Sequence, residues 1–167
     1  MTHYAIQLLD YNRWAMNRYF EHLKSLPAET PLLEVNSVFP TLFDVLVHVY
    51  IIDHGWLSAL KHEVIEDVAE SVDLLSKKTQ GKSIPEMELL FNSLWDNYSA
   101  FILHHPDLDE KDVFYGTLLC SYGEVIQHIV NHASYHRGNM TAMLRQLGYT
   151  GIMTDFSLYL YHKNQKN

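Results

Sequence analysis

Residues 128 to 139 read HIVNHASYHRGN, placing histidines at 128, 132 and 136 ahead of Arg137 and Gly138. Histidine titrates near neutrality and its neutral ring nitrogens bind borderline metal ions, so the chemistry raised by this stretch is that of a metal site. Histidines four apart on a helix lie one turn apart, with about 6 Å of rise and roughly 40° of rotation between them. Two such imidazoles converge on one ion at a Zn–N distance of about 2.0–2.1 Å. The same spacing also arises from two half-exposed histidines whose nitrogens are hydrogen-bonded, so a third ligand from another element is what distinguishes a metal site.

At about 100° per residue, with His132 set at zero, Val125, Met143, Ile129, Leu147, Met140, Ala133, Ile126, Leu144 and Val130 fall on one arc from about 20° to about 160°. That arc is the expected core face. His136 falls inside it near 40°, His132 stands at its edge, and His128 points outward near −40°, beside Asn139 and Gln146. Arg137, on the far side of the arc, reads as a surface or interface residue rather than an anion clamp.

A third inward imidazole is available upstream. In LFDVLVHVYIIDHGWL, His48 shares its direction with Val45, Ile52, Gly55 and Ala59, and an unpartnered ring among them would waste its hydrogen bonds. The small residues at 55 and 59 leave volume beside it. Asp44, one turn earlier, and Tyr135 are candidates for outer contacts, although a solvated carboxylate and a packing aromatic are the simpler readings. His54 lies about 120° from His48 and should not join the site. His3, His22, His62, His104, His105 and His162 fall near helix ends or tails and read as solvated. Cys120 reads as a small apolar residue.

Four long segments of helical period must position these residues. The first runs from about Tyr4 to Lys24 and is stopped by Pro27 and Pro31. The second runs from Pro40-Thr41 to about His62 and is apolar around most of its circumference, so it should be the most buried. Residues 63–82 read as a polar connection with room for a short turn of helix. Ser83-Ile84-Pro85-Glu86 is a capping box that opens a third helix, ending at about His104 before Pro106. After a loop with an extended piece at VFYGTLL, the fourth helix runs from about Tyr122 to Leu147, with Arg145 near its negative end and Gly148 as its stop. A short terminal helix spans DFSLYLYHK. The expected fold is all-α, a four-helix bundle with longer connections than the simplest up-and-down form, as a single domain over residues 1–167.

Composition limits the function classes. The chain has 167 residues, 47% hydrophobic and 19% charged, enough for one real core. The formal net charge of −8 repels polyanions, which disfavours nucleic acid and anionic membrane as partners. One cysteine excludes an internal disulfide and a cysteine-only metal site. Asp10 and Arg13 interrupt the N-terminus before a signal peptide could form, and Asp44, His48, Asp53 and His54 interrupt the most apolar run. A soluble cytoplasmic protein is expected. Eleven histidines are the compositional oddity.

DYNRWAMNR, the LVHVYIIDHGWL helix, NHASYHRGNMTAMLRQLG and the terminal TDFSLYL together resemble the DinB-like family of metalloenzymes, also described as the DinB/YfiT-like fold, over nearly the whole chain. The resemblance implies a divalent metal held by one histidine on the second helix and two on the fourth, which map to His48, His132 and His136. It also implies a four-helix bundle, homodimers and a cavity open to the metal. The family's name derives from a DNA-damage-inducible gene and is no argument for DNA binding.

Three neutral imidazoles leave a coordination position open to water or substrate. Nickel or zinc fits best, with iron or manganese also accommodated, because imidazole discriminates weakly among them. Activated water would support hydrolysis, and a coordinated thiol would lose its proton and become a nucleophile. The function expected is therefore a metal-dependent enzyme of the thiol S-transferase type in stress response or detoxification, acting on a small molecule with a low-molecular-weight thiol. The alternatives are a non-catalytic dimeric stress protein that binds metal and a small molecule, and a metal-dependent hydrolase.

Overall fold

The helices begin where side chains replace the hydrogen-bond partners that a first turn lacks. In a computed structural model, which describes residues 3–64, 66–105 and 107–165, three helices open with reciprocal capping boxes. Thr41 and Asp44 open α2 (Leu42–Leu60), Ser83 and Glu86 open α4 (Ile84–His104), and Ser121 and Glu124 open α5 (Tyr122–Gln146). Helix α1 (Tyr4–Lys24) starts with the His3 ring accepting from the Ala5 amide. Gly148, at φ +84°, follows α5 in the left-handed conformation that ends helices. The stop expected at Pro106 lies outside the described residues, and α4 ends at His104.

Cross-helix contacts fix the directions. Phe20 and Lys24 of α1 meet Phe91 and Glu88 of α4, while Arg13 pairs with Asp96, so these two helices are antiparallel. His48 and Trp56 of α2 face His132 and His128 of α5, which makes that pair antiparallel too. Tyr50 packs on Phe91 and the Tyr98 hydroxyl donates to the Asp53 carbonyl at 2.5 Å, so α2 and α4 run parallel. Parallel neighbours joined in sequence need a return path of about 28 Å, the length of a 19-residue helix. Most of that path is covered by α3 (Val68–Thr79), a full helix about 18 Å long where the sequence suggested a short turn; it lies along α2, with the Lys78 ammonium over the Tyr50 ring.

The two other connections join helices that contribute most of their contacts to the remaining pair. Residues 25–41 carry a 3-10 turn (Thr30–Leu32), and the α4–α5 connection holds an antiparallel hairpin of β1 (Lys111–Phe114) and β2 (Leu118–Ser121). Short helix α6 (Phe156–Asn164) packs on α1. The fold is an all-α bundle with one small hairpin. Its core runs through all four long helices, from Met16, Tyr19 and Phe20 through Leu46 and Val49, Phe91 and Trp95, to Ile126, Ala133 and Met140. No residue of α2 is exposed, in accord with its nearly all-round apolar sequence.

Because the Ser121 hydroxyl accepts from the Glu124 amide and the Glu124 carboxylate accepts from the Ser121 amide, α5 depends on this box for its start. Ser121→Ala should lower the unfolding free energy by about 1 kcal/mol in urea denaturation. An unchanged midpoint would show that the box does not hold the helix.

Candidate metal centre

The antiparallel contact of α2 with α5 brings three imidazoles to one point. The Nε2 atoms of His48 and His132 are 3.2 Å apart, and those of His132 and His136 are 3.0 Å apart. One ring nitrogen from each of the three lies within 4.8 Å of the others. Two nitrogens bound to one ion at about 2.0–2.1 Å stand about 2.9 Å apart at a right angle and about 3.3 Å apart at a tetrahedral angle. The His48–His132 and His132–His136 spacings fall between those limits. Hydrogen bonding alone serves this arrangement poorly. A single Nε2 carries either one proton or one lone pair in the ring plane, so His132 cannot make a good in-plane bond to both neighbours.

The surroundings keep these rings neutral. His136 is 5% exposed, and His48 and His132 are half-buried. Burial lowers the pKa of His132 to about 4, aided by the nearby His136, His48 and His128, and lowers that of His136 to about 4, aided by His48. Burial also lowers that of His48. Neutral rings present the lone pairs that a cation requires.

The rings are oriented by packing instead of by the usual carboxylate or carbonyl on the second nitrogen. The Nδ1 atoms of His132 and His136 are buried without a hydrogen-bond partner among the described residues. Phe39 packs against His48 and His136, with ring centroids 4.9 and 5.6 Å away, and Tyr135 meets the His136 ring edge-on at 5.1 Å. Tyr135 is 61% exposed, so it borders the site from the solvent side. Phe39 went unremarked in the sequence; the available signal was an aromatic residue just ahead of the Thr41 cap.

The other residues singled out by sequence are placed as follows. His128 is exposed and rests on Trp56, with ring centroids 4.8 Å apart, outside the three-histidine cluster as its direction predicted. His54 packs on Tyr50 and does not join. The space expected beside Gly55 is filled by Tyr115 from the hairpin turn, whose hydroxyl donates to the Gly55 carbonyl. Asp44 does not support the imidazoles; its carboxylate accepts from the Thr41 amide and hydroxyl at 3.1 and 2.7 Å. Cys120 is half-buried, and burial raises its thiol pKa, as befits a packing residue.

One sequence expectation is corrected. Arg137 is buried, at 2% exposure, instead of lying at the surface. At about 140° on the α5 wheel it falls within the core arc, toward the side that α1 covers. The histidines near helix ends and tails are exposed or half-buried, as expected, and several also find partners. His3 pairs with Asp109, His62 with Asp112 and the Tyr122 hydroxyl, His22 with the Thr150 carbonyl, and His105 packs 3.9 Å from the Tyr122 ring.

The depressed imidazole pKa values set a pH dependence for the metal-free protein. Between about 6.5 and about 4 the unfolded chain binds protons at His48, His132 and His136 that the folded chain refuses, so stability falls as pH falls through this window. Buried Asp53, whose pKa is pushed well up by desolvation, acts in the opposite sense at one site against three. Urea denaturation of chelator-treated protein across this range should show the decline; a flat profile would contradict the burial of neutral rings.

Comparison with known proteins places the chain in a lineage. The chain is 39% identical over 165 residues to Protein DinB of Bacillus subtilis (strain 168), covering 96% of each protein. Its fold matches the crystal structure of a DinB-like protein from Bacillus cereus ATCC 10987 with a TM-score of 0.65 at 18% identity, over 89% of this chain and 94% of that one. The family model described as DinB family matches residues 1–167, and the chain belongs to the DinB family.

Proposed function

We propose that His48, His132 and His136 bind one divalent metal ion, nickel or zinc in preference to iron or manganese, and that the protein is a metal-dependent enzyme of the thiol S-transferase type. The observation that carries this reading is the convergence of three neutral imidazole nitrogens at metal-ligand spacing. When bound, such an ion supplies Lewis acidity with an open coordination position, where a coordinating thiol is deprotonated near neutral pH. The chain's own residues do the rest. Burial keeps the rings unprotonated, half-buried Phe39 packs on the His48 and His136 rings, and Tyr135 borders the approach from solvent.

Thiol transfer is favoured over hydrolysis because no carboxylate hydrogen-bonds to the three rings among the described residues, and Asp44 is committed to its cap. Hydrolysis at such a centre ordinarily draws on a positioned general base. A thiol that has given up its proton on coordination is itself the nucleophile. The proposed setting is a cytoplasmic homodimer in stress response or detoxification, with a small electrophile as substrate. No helix among the described residues is long and apolar enough to cross a membrane. The second reading is a non-catalytic protein that binds metal and a small molecule in the same place.

Elemental analysis and calorimetry should find one divalent ion per chain. His48→Ala or His136→Ala should weaken binding by more than about a hundredfold, since losing even an outer-shell partner costs about 10–100-fold. Wild-type affinity in both variants would overturn the ligand assignment. Metal-loaded protein should turn over at least one member of a panel of electrophiles and cellular thiols, and His132→Ala should abolish that turnover. Binding without turnover across the panel would support the second reading.

A further inference from the structure

Next to His136, which faces α2, Arg137 turns toward α1 and the segment between α5 and α6. Residues 149–155 form neither helix nor strand and run as a strap along α1. Tyr11 donates to the Thr154 carbonyl at 2.9 Å, Arg18 to the Met153 carbonyl at 3.1 Å and His22 to the Thr150 carbonyl at 2.8 Å. The backbone N–H groups of Gly151, Ile152, Met153 and Thr154 have no backbone acceptor among the described residues. Between the strap and α5 lies a cleft of about 450 Å³, within the size range of small-molecule sites. Arg137, Ser134 and Arg145 line its α5 side.

Arg137 is unusual as a cleft residue because its charge is buried among neutral partners. Its guanidinium donates to Asn12 Oδ1 at 2.6 Å, Ser134 Oγ at 2.7 Å and Tyr11 Oη at 3.2 Å. These bonds hold the group rigidly and leave its positive charge uncancelled. The buried carboxyl that acts on it electrostatically is Asp53, and desolvation pushes the Asp53 pKa well up, toward the protonated form. Among the described residues the one carboxylate lining the cleft is Asp155, which is exposed where α6 begins. Its side chain makes no capping bond to the helix. A preorganised guanidinium, a second arginine and the backbone of the strap thus share one concave surface. In a chain of net charge −8 this attraction for anions is local.

We propose that this cleft binds the carboxylate or phosphate group of a small molecule, held by Arg137, Arg145 and the amides of the strap. The site is separate from the three histidines and stands whether or not they bind metal. The bulk of the ligand would occupy the cleft beside Ile152, Met153 and Phe156.

The test is a titration of ¹⁵N-labelled protein with inorganic phosphate and, separately, with acetate, following the strap amides by NMR at constant ionic strength set with chloride. Saturable shifts at Gly151 to Thr154 are expected with at least one probe, and the tighter of the two identifies the preferred group. Arg145→Gln should weaken binding by about threefold and Arg137→Lys by about tenfold, as expected for a partly exposed and a buried charge-assisted contact. The Arg145 variant keeps the test decisive should Arg137→Lys fail to fold. No saturable shift with either probe, equal shifts with added chloride, or affinity unchanged in Arg145→Gln would overturn the proposal.

Discussion

Three imidazole nitrogens meet where α2 packs against α5, and the bundle is built so that they must. The i, i+4 pair on α5 sets His132 and His136 one turn apart, but their meeting with His48 depends on the rotation and register of two helices. The Thr41–Asp44 and Ser121–Glu124 boxes fix where each helix begins. The packing of α2 on α5 then turns His48 toward His132 and His136. Such a cluster is costly without a shared partner, since buried polar nitrogens lose water and gain little from one another.

The opposite side of α5 is held with equal care. Tyr19 donates to the Arg137 carbonyl at 2.7 Å, and the Arg137 side chain binds Asn12 and Tyr11 of the same helix. Adjacent residues 136 and 137 therefore face different helices, one toward the imidazole cluster and one toward α1. Because α1 clamps one flank and α2 the other, α5 has little freedom to rotate, and the geometry of the three rings is inherited from that restraint. The return helix α3 serves the same end by allowing α2 and α4 to lie parallel, so that α4 backs α2 through Phe91 and Tyr98.

The long helices were legible because their signals are local. Capping pairs, prolines and a terminal glycine mark their ends, and apolar period marks their inner faces. The same wheel separated His136, His132 and His128 into inward, edge and outward positions, as the structure has them. Other features depend on tertiary arrangement. The polar sequence at 63–82 gave little sign of a full helix, because α3 is needed only once α2 and α4 prove parallel. The burial of Arg137 was not legible, because it requires Asn12, Tyr11 and Ser134 to satisfy the guanidinium and two of these come from a helix distant in sequence. Phe39 and Tyr115 reach the site region from a loop and a turn, whose positions periodicity does not determine.

Coordination by these three side chains is the claim on which the functional reading turns. X-ray absorption spectroscopy of zinc-loaded protein reports the donor atoms directly. Three imidazole nitrogens at about 2.0–2.1 Å, completed by one or more oxygen donors, are the predicted first shell. A shell without the multiple-scattering signature of imidazole, or one unchanged when His48 is replaced by alanine, would contradict the account.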